Sequence, residues 1–162
     1  MESSTVHRQE PPAEVSEAAR NALAPFGATW SEHHGDVACL VPKERWLDVF
    51  RALHVAGFEF LLDHTAVDYP DRKPRFTVVA IPMNLSTQER LIVKTRVAEG
   101  ESLASLTPIW NAANWAERET YDMFGIPFDG HPDLTRIYMP EDYEGWPMRR
   151  DFPLQGHLRF QD

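Results

Sequence analysis

Glu117, Glu119 and Asp122 fall within the six residues "ERETYD", and His131 follows a short loop later. At helical spacing Glu117 lies beside Tyr121, and Glu119 beside Asp122. Two carboxylates with divergent pKa values in one cleft can run acid/base hydrolysis. Carboxylates on a helix more commonly face solvent or pair with a nearby cation, here Arg118. Metal chemistry has less support. His33 and His34 are adjacent, so in a strand they point to opposite faces. His54, His64, His131 and His157 show no ligand spacing. His64 reads as a hydrogen-bonded structural residue of a strand. The sequence has no G-x-S-x-G, no phosphate-binding loop and no dinucleotide fingerprint. We therefore expect no catalytic, cofactor-binding or metal-binding residue in this chain. Arg149 and Arg150, beside Asp151, suit an ion pair with a partner's carboxylate.

These residues sit at the end of a long patterned region. "AEVSEAARNALAP" reads as a short helix with Val15, Ala18, Ala19 and Ala22 on one face and Pro25 at its stop. "ATWSEHHGDVACLVP" reads as a hairpin turning at Gly35-Asp36. "PKERWLDVFRALHVAG" is an amphipathic helix. Pro42 stands in its first turn, Trp46, Val49, Phe50 and Leu53 form one stripe, and Gly57 sits at its end. Three strands follow in "FEFLLDHTAVDY", "RFTVVAIPM" and "RLIVKTRV". In the last, Leu91, Val93 and Val97 alternate with Lys94 and Arg96. The short turns between them favour antiparallel neighbours. "EGESLASLTPIWNAANWAERETYDMFG" returns to helix, from Pro108 in the first turn to Gly125 at the cap, with Trp110, Ala113, Glu117, Tyr121 and Phe124 along one side.

The expected fold is α+β: about five strands in a mostly antiparallel or mixed sheet, with helices on one face. We expect a flexible N-terminal tail at 1–12, a compact domain at 13–125 and an extended irregular segment at 126–162. That last segment is rich in proline yet carries Ile126, Phe128, Leu134, Ile137, Tyr138, Met139, Tyr143, Trp146, Met148, Phe152 and Leu154. Irregular chain this apolar suits docking to a partner, and its prolines reduce the entropy lost on binding. Trp30, Trp46 and Trp110 read as core, and Trp146 as an interface anchor.

Composition narrows the function classes. The 162 residues suffice for a core of ordinary size. A net charge of −9 disfavours phosphate backbones and anionic membrane surfaces. The single cysteine, Cys39, forms no internal disulfide and cannot hold an iron–sulfur cluster; in "VACLV" it reads as a core residue. No run approaches the ~18 apolar residues of a membrane span, and the N-terminal residues lack the apolar core of a signal peptide. The expectation is a soluble cytoplasmic chain that meets a membrane only through a partner.

The stretch "NWAERETYDMFGIPFDGHPDLTRIYMPEDYEGWPMRRDFPL" resembles the signature region of the C subunit of respiratory complex I, a family with relatives in membrane-bound [NiFe] hydrogenases. Its motif elements are Glu117-Arg118-Glu119, Asp122, Phe124-Gly125-Ile126, His131 and Arg136-Ile137, followed by "PMRRDFP" with Arg149, Arg150 and Asp151. Upstream, "LLDHTAVDY", "RFTVV" and "SLTPIWNAANW" are similar too, so the resemblance spans roughly 45–157. Met148 stands where leucine is common.

The resemblance implies a cofactor-free peripheral-arm subunit. FMN, iron–sulfur clusters, NADH and quinone would belong to other subunits. The implied partners are the D subunit, which is hydrogenase-large-subunit-like and holds the quinone site, and other peripheral-arm subunits, on the cytoplasmic side of the membrane. The acids would then be structural, pinning the helix end to the following loop through Arg118, His131 or Arg136. The motif and interface residues on this reading are Glu117, Arg118, Glu119, Asp122, Phe124, Gly125, His131, Arg136, Trp146, Arg149, Arg150 and Asp151. The alternatives are the homologous subunit of a hydrogenase or related ferredoxin- or quinone-linked complex, a hydrolase using Glu117, Glu119 and Asp122, and an adaptor binding several partners through 126–162.

Overall fold

Alternating apolar and polar residues in three long segments demand a sheet with one buried face. A computed structural model of the chain describes residues 6–8, 10–12, 14–33 and 36–153. In chain order its elements are β1 (Val6–Arg8), α1 (Glu17–Leu23), β2 (Thr29–His33), β3 (Asp36–Leu40), α2 (Trp46–Val55), β4 (Phe60–Asp68), β5 (Phe76–Met83), β6 (Ile92–Val97), β7 (Leu103–Ala104), α3 (Ala113–Phe124) and β8 (Phe128–Asp129). Among the described residues the main sheet has six strands in the order β1-β2-β3-β6-β5-β4. Every pairing is antiparallel except β3 with β6, so the sheet is mixed. β7 and β8 form a small parallel pair beside it.

The core lies between one face of the sheet and the helices. Trp30, Cys39, Ala66, Val78, Ala80 and Val93 project from the sheet into it. Trp46, Val49, Phe50 and Leu53, the stripe expected of α2, meet them and are fully buried. Thr95 is also inside, where its hydroxyl donates to the Val41 carbonyl at 2.9 Å. Cys39 is a buried free thiol, its pKa pushed up to about 12 by desolvation. Trp30, Trp46 and Trp110 are core residues, whereas Trp115 is exposed.

Several local expectations change. Val6–Arg8, read as part of a loose tail, pairs with β2 as an edge strand, which raises the expected five strands to six. α1 starts one turn late because Ser16 caps it, its hydroxyl accepting from the Ala19 N–H at 3.2 Å. Ala18 consequently faces solvent, and Leu23 takes the core position. Pro25 stands where α1 stops, as expected, inside a 3₁₀ turn over Ala24–Phe26 that follows Leu23. Pro42 precedes a second 3₁₀ turn, Lys43–Arg45, rather than opening α2. Asp36 pairs with His33 as the first residue of β3, so it is not the hairpin turn; residues 34 and 35 lie outside the described residues.

The largest difference concerns α3, which begins at Ala113 rather than near Pro108. The stretch before it folds as successive turns, with the Trp110 N–H on the Leu106 carbonyl at 3.0 Å and the Ala113 N–H on the Trp110 carbonyl at 3.1 Å. The Glu117 side chain, from within α3, holds the start of these turns. The Trp110 indole N–H reaches back to the Glu59 carbonyl at 3.0 Å, which ties them to the start of β4. α3 then lies along β4.

Candidate functional site

α3 grips the segment before it in the chain with one set of motif residues and anchors the loop after it with another. Glu117 grips the preceding segment. It is fully buried; one carboxylate oxygen accepts from the Ser105 hydroxyl at 2.6 Å and the other from the Leu106 N–H at 2.6 Å. Desolvation raises its pKa from 4.5 to about 7, against the lowering effect of these two bonds. Next to it on the helix, the Thr120 hydroxyl donates to the Ala116 carbonyl at 2.9 Å and approaches His64 Nδ1 at 3.4 Å. His64 is buried between the rings of Trp46 and Phe128, and its Nε2 has no hydrogen-bond partner among the described residues. Burial lowers its pKa from 6.5 to about 4, so the imidazole is neutral in the fold.

Asp122 anchors the loop after the helix. It is fully buried, and one oxygen accepts from three successive N–H groups: Ile137 at 3.0 Å, Tyr138 at 2.7 Å and Met139 at 3.0 Å. Its other oxygen lies 3.5 Å from Arg136 Nε. Arg136 in turn donates to the Gly145 carbonyl at 2.8 Å and stacks over the Trp146 ring at 4.4 Å. Arg118 donates to both the carbonyl and the hydroxyl of Thr135, at 3.0 and 2.9 Å. Glu119 is exposed and accepts from the Tyr138 hydroxyl at 3.2 Å. His131 Nδ1 accepts from the Asp133 N–H at 3.0 Å, which leaves its Nε2–H to donate to the Asn114 carbonyl, also at 3.0 Å. Thus Arg118, Glu119, Asp122, His131 and Arg136 are brought together around residues 131–139, whereas Glu117 points the other way.

Two constraints at the helix end require glycine. Gly125 has φ +73°, and its N–H closes on the Tyr121 carbonyl at 2.8 Å. A Cβ there would stand 2.4 Å from the Trp146 ring. The chain then re-enters the core through Ile126 and Phe128, both buried. Trp146, expected as a partner anchor, packs here on its own chain, edge to face with Tyr121 at 5.4 Å.

The "RRD" stretch closes on the far end of the β4–β5 hairpin. Arg149 donates to the Phe124 carbonyl at 2.7 Å and pairs with Glu99. The Arg150 N–H donates to Asp68 at 2.8 Å, and Asp151 pairs with Arg75 at 2.9 Å. Asp68 and Arg75 form a fork at 2.7 and 2.8 Å. The Arg75 guanidinium holds the Asp68 carboxyl below its ordinary range, and Asp68 raises Arg75 in return. Motif and spacing did not single out Asp68, Arg75, Glu99 or Ser105. The hairpin "DYPDRKPR" held a usable signal for one pair: Asp68 closes one strand and Arg75 precedes the next, so the turn sets them face to face.

Chemically, the arrangement turns its charged groups on itself. A carboxylate pair for hydrolysis needs a shared cleft, but Glu117 and Asp122 are sealed and Glu119 faces solvent. Among the described residues no group of three or more His, Cys, Asp or Glu side chains is placed to hold a metal ion, and no helix is long and apolar enough to cross a membrane.

Comparison with known proteins matches residues 39–158 to the family model of the respiratory-chain NADH dehydrogenase 30 kDa subunit. The NADH-quinone oxidoreductase C subunit of Citrifermentans bemidjiense is 46% identical over 128 residues, covering 78% of this chain and 80% of that protein. The corresponding C subunit of Roseiflexus sp. is 45% identical over 146 residues, 88% of this chain and 84% of its own. Among solved structures, a trypsin-resistant fragment (1-134) of Nqo5 superposes with a TM-score of 0.65 at 34% identity, covering 70% of this chain and 94% of the fragment. A chain of the membrane-bound sulfane sulfur reductase, an archaeal respiratory membrane complex, superposes with a TM-score of 0.74 at 25% identity over 90% of this chain and 94% of that one.

Proposed function

Because the chain belongs to the family of the respiratory-chain NADH dehydrogenase 30 kDa subunit, we propose that it serves as the C subunit of a proton-translocating NADH:quinone oxidoreductase. It is a peripheral-arm subunit that supports the quinone-reducing module and performs no catalytic step itself. The observation that carries this reading is the match over residues 39–158, shared with relatives named as C subunits of NADH-quinone oxidoreductase.

On this reading FMN, the iron–sulfur clusters and the NADH and quinone sites belong to other subunits. The direct partner is the hydrogenase-large-subunit-like D subunit, and the complex holds the chain on the cytoplasmic side of the membrane. Residues 126–162 are the docking segment, of which 154–162 lie outside the described residues. Arg118, Glu119, Asp122, Phe124, Gly125, His131, Arg136, Trp146, Arg149, Arg150 and Asp151 act by giving its described part, 126–153, one shape, with Asp122 the residue on which that shape turns, while Glu117 holds the turns before the helix. A prebuilt segment suits an interface because less ordering entropy opposes docking. The same body occurs in the sulfane sulfur reductase complex, but at 25% identity against 46% for the Citrifermentans protein. That difference favours the quinone-linked complex.

The test is a mild-detergent pull-down through this chain from native membranes, with mass spectrometry and an NADH:quinone assay on the eluate. Recovery of a hydrogenase-large-subunit-like protein together with activity blocked by a quinone-site inhibitor is the expected result. A nickel-containing complex would move the chain to the hydrogenase branch. A monomer without partners would refute both.

A further inference from the structure

Among the described residues the helices cover one face of the main sheet and leave the other open. On the open side, alternation places Thr29 and Ser31 of β2, Leu40 of β3, Lys94 and Arg96 of β6, Thr77 and Val79 of β5, and Val67 of β4. Tyr69 and Arg72 extend this row beyond β4, the guanidinium stacked on the phenol ring at 3.9 Å. Together these residues line a shallow trough of about 600 Å³. Apart from Leu40, its floor is made of short or β-branched side chains, so another chain can come close to the strands.

The charge of the trough is opposite to that of the protein. The chain carries a net −9, yet Arg72, Lys94 and Arg96 form no ion pair with a carboxylate among the described residues. Arg149 and Arg75, by contrast, are both paired within the chain. The acids on this face, Asp36 and Asp63, lie toward its other end, as the strand register requires. Three such cations converging on one trough in an acidic protein mark the place where a carboxylate-bearing partner gains most and repulsion from the remaining surface matters least.

We propose that this open sheet face docks an acidic, apolar-interleaved segment of a neighbouring subunit, its carboxylates on Arg72, Lys94 and Arg96 and its aliphatic side chains on Leu40, Val67 and Val79. The proposal rests on the reading of the chain as one member of a larger complex. It concerns a surface to which residues 126–153 contribute no lining side chain. A nucleic-acid backbone fits less well: it offers nothing to Leu40, Val67 and Val79, and a long polyanion would meet the acidic surface on either side.

The experiment uses the assembled complex. A photo-crosslinking residue placed at Thr77, in the middle of the floor, is activated in complex purified through this chain. The expected product is a crosslink to one segment of another subunit that carries several Asp or Glu. In parallel, Lys94→Glu with Arg96→Glu should lower recovery of the complex by roughly tenfold, since reversing both charges sets like charges together. Lys94→Arg with Arg96→Lys should recover it as the unaltered chain does. No crosslink at Thr77, a crosslink to a second copy of this chain or to lipid, or a crosslinked segment without acids would overturn the proposal. So would unchanged recovery of the charge-reversed chain. Should that variant fail to accumulate, the Thr77 crosslink decides alone. These outcomes leave the family function standing when the unaltered chain still brings down active complex; if it brings down no complex, both readings fall.

Discussion

Two buried titratable residues act on stability in opposite directions. Glu117 has a folded pKa of about 7 against an ordinary 4.5. Its folded form therefore holds a proton that the unfolded chain has released, and stability present below 4.5 is lost as pH rises toward 7. His64 has a folded pKa of about 4 against 6.5. Its contribution is present above 6.5 and is lost as pH falls toward 4. The two windows overlap, so the unaltered chain should show a muted pH profile across them. Glu117→Gln keeps both an acceptor for the Leu106 N–H and a group for Ser105. Its stability relative to the unaltered chain should rise between pH 4.5 and 7 and level off above, by up to about 3 kcal/mol. Urea unfolding at a series of pH values measures it; a difference flat with pH would mean that Glu117 does not titrate there. Gly125→Ala is a steric counterpart. The positive φ alone costs about 1–2 kcal/mol, and the Trp146 ring must also move away. A lower melting temperature and an altered tryptophan emission spectrum are expected.

At the level of elements, α3 works as a two-sided clamp. One of its acids holds the turn before it and another holds the loop after it, so the helix sets the positions of two irregular segments. Three N–H groups and a buried guanidinium depend on Asp122. Removing one partner from such a group leaves uncompensated charge and unsatisfied donors, at a cost of about 3–5 kcal/mol. Asp122→Ala should release the loop while sparing the sheet. Hydrogen exchange should quicken at Ile137, Tyr138 and Met139 and stay slow at Val78 and Ala80, which are central in β5. Equal acceleration at both places would mean that the loop and the sheet unfold as one unit.

Across the molecule, the fork between Asp68 and Arg75 joins the β4–β5 hairpin to residues 149–151. This contact fixes the direction in which the chain runs after Trp146. Arg75→Ala should leave the core intact but free the "RRD" stretch, exposing the bonds after Arg149 and Arg150. Limited trypsin digestion should then cut there several-fold faster than in the unaltered chain, with the remaining body resistant. Unchanged cleavage would show that the Arg149 contacts to Phe124 and Glu99 suffice on their own.

Much of this architecture was legible in local pattern. The stripe of Trp46, Val49, Phe50 and Leu53, the alternation of Leu91, Val93 and Val97, and the glycine at 125 each follow from a period or a backbone angle, and these are properties of neighbouring residues. The edge strand at Val6–Arg8 was not legible, because three residues carry no period and pairing with β2 alone makes them a strand. The late start of α3 was missed for a similar reason. Pro108 suits a helix entrance locally, but the Glu117 carboxylate captures Ser105 and Leu106 and holds the stretch as turns. Residue order alone was enough for the family, the α+β class and the crowding of acids around residue 120. The direction in which each acid points came from packing in three dimensions. A carboxylate's role depends on its surroundings in space, and Glu117, Glu119 and Asp122 end respectively in the core before the helix, in solvent, and beneath the loop beyond it.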